Sequence, residues 1–183
     1  MSTNKFLFSL LLLSLLALIQ CKKDNARPEI AQETINGVTM TFIASDGSDT
    51  SVVSYSDPDG EGGTDPIILG DTIKVNTIYQ ASLKLWNGSS DVTGDIQNSA
   101  QDHQVFFSAS SELGLTFLYD DSDDDEHPVG LLSTWNSSRK GTGVLRMTLV
   151  HQPDKSASGV AQGNLSTAGG KIDIEVDFPF TTR

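Results

Sequence analysis

Residues 171–180 read KIDIEVDFPF. Ile172, Ile174, Val176, Phe178 and Phe180 are apolar, and Lys171, Asp173, Glu175 and Asp177 are the charged residues set between them. Successive side chains of an extended chain point to opposite faces. The alternation therefore predicts a strand with a buried face and a wet face, the pattern of an antiparallel sheet. Working back through the chain, the same period recurs. Leu145, Met147 and Leu149 oppose Val144, Arg146 and Thr148, and Leu113, Leu115, Phe117 and Tyr119 form another series. Val105, Phe107 and Ala109 alternate with Gln104, Phe106 and Ser108, and Tyr79, Ala81, Leu83 and Leu85 with Gln80, Ser82, Lys84 and Trp86. Val53 and Tyr55 mark a short strand, and Ile35, Val38, Met40 and Phe42 a further one whose phase slips near Gly37, which predicts a bulge there.

Clusters of Gly, Asn, Asp and Ser separate these stretches. Only residues 91–103 resist a strand assignment and read as a short helix or a crossover loop, while residues 154–170 are small and polar and read as a long, mobile hairpin loop. The expectation is an all-β fold. It would be an immunoglobulin-like or Greek-key antiparallel β-sandwich of about 7–9 strands with at most one short helix.

The 183 residues include 24 Asp+Glu against 12 Lys+Arg, a formal net charge of −12, and 37% are hydrophobic. Such a chain has the apolar content for a packed core. Its acid excess argues against nucleic acid as a partner, because phosphate binding needs clustered Lys and Arg. Cys21 is the one cysteine, so an internal disulfide and a cysteine-based zinc cluster are both excluded.

After Lys5, residues 6–19 run FLFSLLLLSLLALI. At about 1.5 Å per residue this apolar run falls short of a hydrocarbon core of about 30 Å, so residues 1–20 read as a secretory signal rather than a spanning helix. The sequence Leu18-Ile19-Gln20-Cys21 resembles a bacterial lipobox, in which the Cys is acylated and becomes the mature N-terminus. Gln20 departs from the small residue usual before the Cys. The resemblance implies lipidation at Cys21 and a membrane attachment through that lipid anchor, each buried methylene contributing about 0.8 kcal/mol. Residues 21–32 then make a polar tether, and Lys22 to Asn25 resemble the surface-export signals of Bacteroidota lipoproteins. Residues 33–183 are expected to form a single β-sandwich domain in the cell envelope, at the outer membrane.

Candidate chemistry lies in two acidic loops and three histidines. Residues 57–65, DPDGEGGTD, alternate acids with glycines. Asp57, Asp59, Glu61 and Asp65 could converge their oxygens on Ca²⁺, which takes six to eight oxygen ligands at about 2.3–2.6 Å. A solvated turn without metal is the other reading of the same residues, and the DPDG stretch resembles the calcium-binding turns of cadherin-like and thrombospondin-like modules. Residues 120–128, DDSDDDEHP, read as an exposed hairpin tip. Asp120, Asp123 and Asp125 there would be a weak cation site at most. His103, His127 and His151 each stand at a strand end beside an acid. They are either three unrelated side chains or the ligands of a zinc or copper site on the sandwich rim. Trp86 and Trp135, each followed by Asn, could stack on a sugar or peptide. No G-x-S-x-G or other nucleophile motif is present, so an enzyme is not expected.

The stretches DPDGEGG, DHQVFF, HPVGL, VLRMTLVHQPD and GGKIDIEVDFPF together resemble a small Bacteroidota lipoprotein family whose members accompany TonB-dependent outer-membrane receptors. The resemblance implies nutrient or metal capture beside such a receptor. It also implies a D-x-D-x-N-G pattern in the hairpin at 120–126, where this chain carries further acids instead. The expected function is therefore non-enzymatic binding of a ligand or partner at the outer membrane by a lipid-anchored sandwich stabilised by Ca²⁺. The alternative is transition-metal capture, Zn²⁺ or Cu²⁺, through His103, His127 and His151.

Overall fold

The alternating segments become eleven strands in the computed structural model, which describes residues 34–60 and 62–183. Cys21, the leader, the tether to residue 32 and Glu61 lie outside the described residues. In chain order the strands are β1 (Gly37–Ala44), β2 (Thr50–Ser56), β3 (Ile67–Leu69), β4 (Asp71–Ile73), β5 (Tyr79–Asn87) and β6 (Ser90–Asp91). The helix α1 (Thr93–Asn98) follows, then β7 (His103–Ala109), β8 (Leu115–Tyr119), β9 (Leu132–Ser137), β10 (Gly141–His151) and β11 (Lys171–Thr182). One sheet has the order β3-β2-β1-β5-β9-β8 with β6 added to β5, and the other runs β4-β11-β10-β7. Every pairing is antiparallel except β11 with β4. This is the all-β sandwich that the alternation predicts. The strands outnumber the expectation because β3, β4 and β6 are only two or three residues long.

The inner faces meet in one core. Val38, Met40 and Phe42 of β1 and Trp135 of β9 join Phe107 of β7, Leu145, Met147 and Leu149 of β10 and Val176 and Phe178 of β11. Full burial of each such side chain contributes roughly 1.5–3 kcal/mol, enough in sum to fix which face of every strand turns inward. No helix among the described residues is long and apolar enough to cross a membrane.

Four expectations are corrected. First, β1 holds an unbroken register against both neighbours, so there is no bulge at Gly37. That glycine lies against Trp86, whose Cβ a side chain would crowd. Second, the register shift falls instead between Leu149 and Val150: Leu149 pairs with Ile174 and Val150 with Ile172, leaving Asp173 as the extra residue of a β-bulge. Ile172, expected inside, is consequently 51% exposed. Third, residues 154–170 are not a free loop. They form short 3₁₀ turns at Val160–Gln162 and Leu165–Thr167 and lie over the outer face of the second sheet. Fourth, Val160 and Ala168 pack there against Phe106 and Val150 in a second cluster, and the Gln104 side chain donates to the Val160 carbonyl at 2.9 Å. Phe106 and Gln104, expected on a wet face, are buried for that reason.

Between β3 in one sheet and β4 in the other stands Gly70, where a Cβ would collide with the Pro179 carbonyl oxygen. The crossing from sheet to sheet depends on that close approach of two backbones. Gly70→Ala is expected to cost about 1–3 kcal/mol through overpacking, read as a lower midpoint in urea with an unchanged slope.

Candidate metal centre

At one end of the second sheet, β7 and β10 place His103 directly opposite His151. Each lies two residues beyond a core-facing partner, Val105 in β7 and Leu149 in β10, so the two-residue period turns both imidazoles to the same side. The rings sit 4.8 Å apart at 63°, with His151 Nδ1 2.9 Å from His103 Nε2. The bulge in β11 then brings Asp173 into the group. Its Oδ2 is 3.7 Å from His103 Nε2, and both side chains are 0% exposed. A residue that strict alternation would leave in water is thus turned against two buried histidines.

The other ring nitrogen of His103 is already committed. Nδ1 lies 3.1 Å from the Ser99 carbonyl oxygen and 3.1 Å from Ser99 Oγ. The Ser99 hydroxyl itself donates to the Asp95 carbonyl at 2.7 Å, so the carbonyl takes the Nδ1 proton and Nε2 accepts from His151 Nδ1 at 2.9 Å, with Asp173 on the same side. Backbone-carbonyl anchoring of the distal imidazole nitrogen is how metal-bound histidines are oriented. Burial holds the His103 imidazole below its ordinary pKa, opposed by the Ser99 carbonyl and then by Asp102, and aided by the electrostatic influence of the neighbouring His151 and Lys155 side chains. The neutral ring is the form that ligates a metal.

The donor atoms of His103, His151 and Asp173 all lie within 4.8 Å of one another, and this is the one such three-residue group among the described residues. Tetrahedral bonds of about 2.0–2.2 Å to nitrogen and oxygen require neighbouring donors about 3.3–3.5 Å apart. The observed 2.9 Å and 3.7 Å separations bracket that spacing. Two imidazoles and one carboxylate suit Zn²⁺ or another late first-row ion, and leave a fourth tetrahedral position to water or an added ligand.

The remaining candidates are placed elsewhere. His127, proposed from sequence as the third imidazole, stands apart from the group with its Nδ1 3.9 Å from Asp123 Oδ1. Asp120, Asp123 and Asp125 are not gathered on one point. Asp120 accepts from Thr134 Oγ1 at 2.6 Å and Asp125 from Gln101 Nε2 at 3.1 Å. Asp123 takes the Asp125 and His127 amides on Oδ1 and Lys155 Nζ on Oδ2. Beside them Asp121 accepts the amides of Gly130, Leu131 and Leu132. Asp121 and Asp123 therefore cap the hairpin's own backbone, and Asp120 and Asp125 accept from side chains. Trp135 is no ligand platform either: at 1% exposure it lies inside the core. Trp86 is half-buried, donating to Thr39 Oγ1 at 3.2 Å beneath Lys84. Asp57 and Asp59 do approach one another in the first acidic loop, where Asp57 is buried and Asp59, like Asp65, is exposed.

Sequence reasoning named His103 and His151 but missed Asp173, which the alternation assigned to water. No known protein family matches the chain, and no curated protein matches it.

Proposed function

We propose that the chain is a non-enzymatic, lipid-anchored β-sandwich of the cell envelope that binds one transition-metal ion, Zn²⁺ by preference, through His103, His151 and Asp173. The observation that carries this reading is the convergence of the three donors, with His103 Nδ1 pinned to a backbone carbonyl so that Nε2 faces the other two. The lipobox-like Leu18-Ile19-Gln20-Cys21 supports the anchor and the envelope location. Enclosure of all three side chains favours an ion that stays with the protein over one passed on rapidly, since exchange requires the sheet end to open.

The test is a Zn²⁺ titration of the full chain in detergent, with X-ray absorption on the zinc-loaded protein. One ion per chain is expected, with two imidazole nitrogens at about 2.0–2.1 Å and a carboxylate oxygen in the coordination shell. His151→Ala should weaken binding at least 100-fold, equivalent to about 2.7 kcal/mol, whereas His127→Ala should leave it unchanged. Equal zinc affinity in His151→Ala and the parent chain would remove the reading.

A further inference from the structure

The Asp57–Asp59 turn holds a feature that the metal centre does not explain. Asp57 follows directly on β2, and its amide donates to the Asn36 carbonyl at 2.8 Å, which draws the residue into the body of the domain. It is 9% exposed. One carboxylate oxygen, Oδ2, accepts a long hydrogen bond of 3.3 Å from the Tyr55 hydroxyl. The other, Oδ1, is buried with no hydrogen-bond partner. A buried carboxylate oxygen with no donor carries the full penalty of its lost hydration.

A second acid adds to the imbalance. Asp59 comes close enough to Asp57 for their carboxyls to interact, and it faces the Thr64 amide at 2.9 Å and the Thr64 hydroxyl. None of the ion pairs among the described residues reaches Asp57 or Asp59. Two carboxylates have thus been brought together with a phenol, a hydroxyl and, among the described residues, no ion-paired cation. In the other acidic hairpin, by contrast, Asp123 is matched by Lys155 and by backbone amides.

We propose that Asp57 and Asp59 hold a hard, oxygen-seeking divalent cation, Ca²⁺ in class, with Asp57 Oδ1 as its innermost ligand and Asp59 completing the carboxylate pair. Oxygen donors alone select this class of ion, and Ca²⁺ accepts the irregular, partly hydrated shell that a turn at the domain surface provides. The site is separate from the imidazole centre in residues and in ligand chemistry, so each stands or falls alone. A bound cation would neutralise the acids at the β2–β3 connection and fasten that turn beside the start of β1, where the Asp57 amide already donates to Asn36.

Terbium luminescence tests this directly, because the Tyr55 hydroxyl lies 3.3 Å from Asp57 Oδ2 and the tyrosine would sensitise a lanthanide bound there. With the full chain in detergent, excitation of tyrosine should give saturable Tb³⁺ emission that Ca²⁺ displaces and Zn²⁺ does not. Asp57→Asn should reduce that emission at least tenfold, while His151→Ala leaves it intact. A thermal series keeps the test sound if the variant folds poorly. In EDTA, Asp57→Asn should melt at or above the parent temperature, because it replaces a carboxyl whose buried Oδ1 has no hydrogen-bond donor. In excess Ca²⁺ the order should reverse, the parent gaining about 5 °C and the variant nothing. Emission that persists at full strength in Asp57→Asn, or a parent chain whose melting ignores Ca²⁺, overturns the proposal.

Discussion

Lys155→Ala is expected to destabilise the domain by about 3–5 kcal/mol, the range found when one partner of a buried ion pair is removed. Lys155 is 6% exposed, and its ammonium spends three donors on three acceptors: the Ala100 carbonyl at 2.7 Å, Asp123 Oδ2 at 2.9 Å and the Pro128 carbonyl at 2.9 Å. Those acceptors belong to the turn that precedes β7 and to the acidic hairpin, so one side chain ties both to the segment that follows β10. Burial works against the ammonium and lowers its pKa, with Asp123 opposing. In the alanine variant the Asp123 carboxylate, 1% exposed, is left without its counter-charge. The double variant Lys155→Met with Asp123→Leu should lose less than the sum of the single losses, since it leaves no buried charge. It should not recover fully, because Asp123 Oδ1 also satisfies the amides of Asp125 and His127.

The same pair sets a pH dependence whose sign is fixed. Burial pushes the Asp123 carboxyl up, but Lys155, then the His127 amide, and then the Asp125 amide hold it below its ordinary value. A carboxyl depressed on folding contributes its stabilisation above the unfolded pKa, about 3.9 for Asp, and loses it as the pH falls through the lower folded value. Urea midpoints of the parent chain and of Asp123→Asn should therefore differ most near neutrality and converge below about pH 4. A gap that stays constant down to pH 2 would show that the carboxylate charge is not what holds the hairpin.

Alternation along β11 was legible because a sandwich strand obeys a two-residue period wherever its pairing is regular. Ile174, Val176, Phe178 and Phe180 are buried as read. The reading failed at Ile172 and Asp173, where one inserted residue resets the phase, and no local signal in KIDIEV announces the insertion. It failed again at Gln104 and Phe106. The face they occupy is covered by residues 154–170, whose buried members Val160 and Ala168 are too sparse to show a period. For the histidines the limit was register. His103 and His151 are 48 positions apart, and only the pairing of β7 with β10 brings them opposite. A signal did exist: each sits in phase with the apolar residues of its own strand, at a place where an outward-facing histidine would be out of phase. In residues 120–126 the acids looked mutually repulsive because charge is visible in sequence and backbone amides are not. Asp121 and Asp123 accept five such amides between them.

Trp135→Ala is expected to cost about 3–5 kcal/mol, as for other large buried aromatics truncated in a core. For a domain of this size that lowers the melting temperature by roughly 10 °C. Trp135 of β9 reaches across the interior. Its ring stacks on Phe117 at 5.0 Å, meets Phe42 edge-on at 5.8 Å, and meets Phe107 of the opposite sheet at 5.2 Å. Its indole nitrogen donates to Ser133 Oγ at 2.8 Å, so the one polar atom is satisfied inside. Trp135→Phe keeps much of the volume and should cost less, roughly 1–3 kcal/mol from the residual cavity and the lost hydrogen bond. Trp86→Ala should cost less again, because that ring is half-exposed. None of the rings around Trp135 belongs to the group of His103, His151 and Asp173. Independent sites add, so saturating Zn²⁺ should raise the midpoint stability of Trp135→Phe by the same increment as it raises that of the parent. A smaller increment would mean that the aromatic core sets the register of β7 against β10, and that the metal centre depends on packing beyond its own ligands.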